Sequence, residues 1–236
     1  MIKEFPMDEK KIQKNFIQQI NGKKKVQKKS IGVYKYLVHH SFFEVLTNAY
    51  PEFYTIIKNQ NLEKEFDRSI FKFMQKNAVS PYIWQMPNEY RKFLKKSKYF
   101  KKISYLNDLL HFEYSELFIF MQKPPMAKSF KFKVSKKFIL SPHCTLHKYN
   151  YDVVNKNFTH KEDYFILGYF DNHTQQVVYR PLNNLLFSFL KTLNSTLNLN
   201  KNLRLFLNKN ELSFELYEKE FKIVLEELYI QKVLIV

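Results

Sequence analysis

A helix-period apolar stripe that a proline interrupts at one point constrains this chain more than any other feature. Between Ile31 and Ile57 the sequence reads IGVYKYLVHHSFFEVLTNAYPEFYTII. Val33, Tyr34, Leu37, Val38, Phe42, Val45, Leu46 and Ala49 recur there at spacings of three and four, which aligns them on one face of an α-helix. Tyr50-Pro51 then breaks the run. The residue before a proline avoids the helical region, so the first helix is expected to stop near Asn48. Proline is tolerated in a helix's first turn, so a second helix is expected to start at Pro51 and to carry Phe53, Ile56 and Ile57. Two helices meeting at a fixed corner are a seed for a helical domain.

The chain has 236 residues, 45% hydrophobic and 17% aromatic. That is enough apolar surface to close a core, and enough length for one large or two small domains. Only three glycines occur, Gly22, Gly32 and Gly168, which excludes a glycine-rich phosphate loop. A single cysteine, Cys144, excludes an internal disulfide framework and suits a reducing compartment. The opening MIKEFPMDEKK lacks the apolar segment of a secretory signal, and no apolar run approaches the ~18 residues of a membrane span. Together these point to a cytoplasmic protein with no membrane partner.

Formal charge is +17, yet only four of the 39 basic residues are arginines: Arg68, Arg91, Arg180 and Arg204. Base-reading proteins lean on arginine, whose fork pairs with guanine. Two readings of the charge stand: a surface for nucleic acid or another anion, and the codon bias of an AT-rich genome. The candidates for such a surface are Lys23, Lys24 and Lys25, in the basic linker Asn21–Ser30, and Arg91, Lys92, Lys95 and Lys96. The latter open a run, Arg91–Lys102, that holds seven basic residues and no acid. For the linker, a solvated loop is the alternative to a phosphate-contacting arm.

Further elements follow from periodicity. Asp8 can cap a short amphipathic helix bearing Ile12, Phe16, Ile17 and Ile20. Asn61 can cap another, whose stripe is Leu62, Phe66, Ile70, Phe73 and Met74. Ser80-Pro81 is expected to open a helix that Pro87 breaks, with Tyr90, Phe93 and Leu94 continuing on a new axis. Ile103–Gln122 reads as a long helix, and the set as a compact bundle. Lys123-Pro124-Pro125-Met126 stiffens a connector and marks a boundary. Beyond it, Phe130–Val134 alternates with period two, as a strand or an extended lead-in. Cys144–Val153 reads as extended. Tyr164–Phe170 and Gln176–Arg180 flank Asp171-Asn172-His173-Thr174, a hairpin with turn chemistry. Pro181 is expected to open a helix, with a second near Asn200–Leu207 and a third over Ser213–Leu228. The final run, Tyr229–Val236, is strand-like. The predicted architecture is two-domain: an N-terminal all-α bundle, then an α+β domain with an antiparallel sheet. The boundaries are 1–30 for the first helix and linker, 31–123 for the bundle and 128–236 for the α+β part.

Three ordered segments resemble the HvfC/BufC family. The first is Tyr34…Phe43…Leu46…Ala49-Tyr50-Pro51…Ile56-Ile57. The second, Tyr105-Leu106-Asn107-Asp108-Leu109-Leu110-His111-Phe112-Glu113-Tyr114, is similar to the family's YLPDLA.LEWA helix, with Asn107 where proline is usual and Tyr114 where tryptophan is usual. The third is the hairpin Phe165…Gly168…Val177-Val178-Tyr179-Arg180, with Leu140-Ser141-Pro142 resembling that domain's opening. The resemblance implies a non-catalytic partner of a multinuclear-iron, TIM-barrel-type enzyme. Such enzymes oxidatively modify cysteines in a small ribosomally made precursor peptide, giving copper-binding products; the methanobactin partner protein is a relative. It further implies a C-terminal peptide-recognition module with winged-helix-like helices. The family's N-terminal domain is often labelled DNA-binding, so a DNA-binding regulator is the alternative. Against that stands the acidic character of Ser213–Leu228, the expected recognition helix, which duplex phosphates would repel.

A site follows from joining this implication to strand physics. An edge strand leaves backbone groups that an extended peptide can pair with. The expected peptide-binding residues are Gln176, Val177, Val178, Tyr179 and Arg180 on the strand. Phe214, Tyr217, Phe221 and Leu225 are expected as apolar anchors, with Glu218 for a basic leader residue. The competing arrangement is that Tyr229–Val236 covers this edge. His143-Cys144-x-x-His147 gathers metal-ligand types, but on a strand Cys144 and His147 point to opposite faces. Adjacent His39 and His40 cannot share a metal on a helix. Glu113 is expected to make a satisfied hydrogen bond inside the bundle. No nucleophile–base set can be assigned, and neither a cofactor nor catalysis is expected.

Overall fold

The computed structural model describes residues 7–76, 82–122 and 131–236. Among them the fold is mixed α+β, with nine α-helices and small antiparallel sheets. Two compact units divide the chain, Met1–Tyr114 and Ser115–Val236. Among the described residues, no helix is long and apolar enough to cross a membrane.

In the first unit, α1 (Met7–Ile20) leads to α2 (Lys29–Ala49) and α3 (Pro51–Asn59). The corner falls where the proline places it. Tyr50 leaves the helical region at φ −133°, ψ 59° and serves as the end of α2 and the start of α3. Its phenol is buried and donates to the Pro87 carbonyl at 2.7 Å. The stripe on α2 is only half buried. Leu46 is in the core, whereas Val33, Tyr34 and Leu37 are exposed. Ile12 and Ile17 of α1 are exposed as well. The side chain of Asp8 lies outside the described residues.

Helix α4 (Glu63–Met74) buries Phe66, Ile70, Phe73 and Met74 as its spacing requires. Asn61 does not cap it. Instead Asn61 takes a left-handed conformation, φ 54°, and terminates α3; short amide side chains tolerate that region better than most. The Ser80-Pro81 start lies outside the described residues. A 3-10 turn at Ile83–Gln85 runs into α5 (Met86–Lys96), and Pro87 sits in that helix's first turn rather than breaking it, where its missing N–H costs nothing. Aromatic edges hold the unit together: Phe53 on Phe66, and Phe73 on Tyr90, with centroids 5.8 and 5.3 Å apart. Helix α6 (Leu106–Met121) gives its residues up to Tyr114 to this unit and the rest to the second.

The second unit is organised by a three-stranded antiparallel sheet in the order β2 (Thr145–Tyr149), β3 (Tyr164–Asp171), β4 (Gln176–Leu182). The Asp171 carboxylate shapes the hairpin turn, accepting from the His173 N–H and the Thr174 hydroxyl, both at 2.9 Å. Pro181 does not open a helix. It is the penultimate residue of β4, opposite Ile166, a place proline tolerates because β4 is an edge strand. Asn183 then caps α7 (Asn184–Thr192) by accepting from Leu186 N–H. Next come α8 (Leu199–Lys209), α9 (Phe214–Ile230) and β5 (Leu234–Ile235), which pairs with β1 (Ile139–Leu140).

Phe130 and the Lys123–Met126 connector fall outside the described residues. The residues after them, 131–134, form no strand. Their alternation is real, with Phe132 and Val134 packed on the core and Lys131 and Lys133 exposed. Their carbonyls go to a helix instead: Asn200 N–H donates to Val134 O and Leu199 N–H to Lys136 O. The lead-in therefore satisfies the first N–H groups of α8, which no helix can satisfy internally.

Candidate peptide-binding site

Strand β4 stands at one edge of its sheet among the described strands. The C-terminal run does not cover it, because β5 pairs with β1. The side chains of β4 alternate between two packed faces. Val178 and Leu182 lie on the core formed by Leu167, Phe189, Phe221, Leu225 and Leu228. On that face Arg180 reaches α9, its Nη2 3.1 Å from a Glu227 carboxylate oxygen. On the other face, the Tyr179 hydroxyl lies 3.1 Å from the Ser115 hydroxyl of α6, and burial raises the phenol's pKa. Gly168 is what lets the ring approach: a Cβ there would stand 2.9 Å from Tyr179 Cε1 and 2.7 Å from Thr145 Oγ1.

The structure brings β4 and α9 together, but it revises the expected anchors. Phe221 and Leu225 are core residues, 7% and 0% exposed, so their side chains form the floor under the strand and are not open to a ligand. Phe214 and Tyr217 are half-buried at the margin of that core, and the Arg204 guanidinium lies 4.3 Å above the Phe214 ring. Glu218 pairs with Lys222 one turn on. Gln176, at the start of β4, is exposed. Leu216 of α9 points outward at 73% exposure. Arg180 and Glu227 are 47 residues apart in the chain, and no local sequence pattern links them.

The basic candidates belong to the first unit. Lys23, Lys24 and Lys25 are exposed in the loop after α1, and Lys24 Nζ donates to Asn15. On α5, Arg91 donates to Asn88, Lys92 pairs with Glu89 at 2.8 Å, and Lys95 and Lys96 are exposed in the last turn. Cations at a helix C-terminus also answer its dipole, so part of this charge has a local structural use.

Among the described residues no three His, Cys, Asp or Glu side chains come together in a way that could hold a metal. Cys144 precedes β2, donates its thiol to Ser141 O at 3.0 Å, and is pushed up to about 12 by burial. His147 lies within β2 with its ring against Tyr149. Glu113 is buried and accepts from the N–H groups of Glu52 (2.7 Å) and Phe53 (3.3 Å) at the start of α3. No protein-family model matches the chain, and no curated protein matches it.

Proposed function

We propose that this chain is a non-catalytic recognition partner that receives a precursor peptide's leader as an added strand along β4. In this reading it pairs with a multinuclear-iron, TIM-barrel-type enzyme that modifies cysteines in the small precursor. The first unit is read as a helical domain of the HvfC/BufC type, and the second as a winged-helix-like recognition module. The observation that carries the proposal is the edge position of β4, with the C-terminal run paired elsewhere. An edge strand offers main-chain pairing, and Tyr217 and Glu218 at the start of α9 are the proposed side-chain selectors. The ordered resemblance across the helical segment and the hairpin supports the choice of partner.

Two proline variants test the strand. Successive N–H groups of a strand point to opposite edges. One of Val177→Pro and Val178→Pro therefore removes a ladder bond to β3, and the other removes a donor facing the open edge. One variant should be destabilised; the other should stay folded and lose leader affinity by about tenfold, the worth of ~1.4 kcal/mol. Unchanged leader affinity in the variant that stays folded removes this site. Co-purification with the iron enzyme of the same operon tests the partnership, and two separate species at micromolar concentration would refute it. A DNA footprint that persists at about 200 mM salt, where lysine-driven contacts weaken steeply, would favour a regulator instead.

A further inference from the structure

The first unit carries a second surface that the β4 site does not use. A cleft of about 670 Å³ runs beside α1, between it and α2 with the end of α4. Its walls have two chemistries. Apolar side chains line part of it: Ile17 from α1, Val38 and Phe42 from α2, and Met74 from α4. The rest is polar: Lys10, Lys14, Lys23 and Lys76, with the neutral Gln13, Gln18 and Asn21. None of its described lining residues is acidic. The α1 contribution runs from Lys10 to Ile20 at helical spacing, a length of about 15 Å at 1.5 Å per residue. On the same two helices, α1 and α2, Ile12, Val33 and Leu37 are also exposed, at 68, 54 and 50%. Apolar side chains grouped this way on a surface mark a place of association.

We propose that this cleft is a docking groove for an acidic amphipathic helix of a partner protein. The length suits about three helical turns, laid as a helix in a groove with apolar anchors at i, i+3 or i+4, and i+7. Charge decides the sign: glutamates flanking those anchors would meet lysines on the walls, with no described carboxylate lining the cleft to oppose them. The shape decides against a membrane. Met74 is only 5% exposed, so the apolar floor is recessed, and a bilayer surface cannot follow it into a cleft. The apolar floor likewise disfavours nucleic acid, whose phosphates gain nothing from it.

The probe is a synthetic helical peptide of about fourteen residues, with leucines at i, i+3, i+7 and i+10 and glutamates on both flanks. Fluorescence anisotropy would follow its binding to the full chain, beside the same peptide with glutamine for every glutamate. Lys10→Glu/Lys14→Glu and Ile17→Asp alter exposed side chains, and circular dichroism checks that both stay folded. The expected result is saturable binding that both variants weaken by at least about tenfold, that the glutamine peptide lacks, and that falls with salt. No binding of the glutamate peptide by the wild-type chain up to about 1 mM, or equal binding by the variants, overturns the proposal. So does preferential binding of phosphatidylglycerol vesicles, or self-association that the same variants abolish, since each gives the cleft another occupant.

Discussion

The two units meet the same problem in opposite ways. Helices α3 and α8 both start against packed protein, so both must find acceptors for first-turn N–H groups that a helix cannot satisfy itself. The first unit uses one side chain. Glu113, 60 and 61 residues away in the chain, is buried and accepts from both Phe53 and Glu52, and its charge also answers the positive end of the helix. The second unit uses the backbone: Val134 and Lys136 offer carbonyls to Asn200 and Leu199, and Asn198 adds a local cap to Lys201 N–H at 2.8 Å. A start held by one distant carboxylate depends on one codon. A start held by several carbonyls has no single residue whose loss removes it.

Substitution can break this contrast directly. Glu113→Ala leaves two N–H groups without their acceptor and should destabilise the protein by about 3 kcal/mol, the sum of one charged hydrogen bond and a desolvation penalty. A urea melt following the helical signal would measure it, and a loss under about 1 kcal/mol would show that the carboxylate is not what holds α3. Asn198→Ala removes only the side-chain part of the other start, so the expected loss is about 1 kcal/mol. A loss as large as that of Glu113→Ala would mean that the backbone carbonyls contribute little, and the contrast would fail.

The smallest expected effect is electrostatic and local. The His173 N–H and the Thr174 hydroxyl hold the Asp171 carboxyl below its ordinary 3.8. The stabilisation this gives the turn is complete above the ordinary value and is lost as pH falls through the lowered one. In an NMR titration the His173 amide should therefore move with a midpoint below 3.8, the ordinary value. A midpoint at the ordinary value would show that the turn does not hold the carboxylate.

Local rules located much of this. The corner at Tyr50-Pro51, the stripe of α4 and the hairpin around Asp171 each depend on a few adjacent residues, and each is where the sequence puts it. The misplaced features share a different cause. Pro181 looks like a helix start in isolation, but it lies on an edge strand, where a missing N–H is harmless. Pro87 looks like a break and is a first turn. Phe221 and Leu225 are apolar in either reading, and only the core around Leu167 and Phe189 makes them floor rather than anchor.

Sequence by itself determined most of the helical segments, the hairpin around Asp171 and the excess of lysine, because periodicity, turn chemistry and charge act within a few residues. Tertiary structure alone decided which strand β5 would join, which face of β4 would meet α9, and that Glu113 would reach α3. Those pairings bring together residues dozens of positions apart. Their energies come from desolvation and from backbone groups that must find partners, and neither is encoded in any short stretch of the chain.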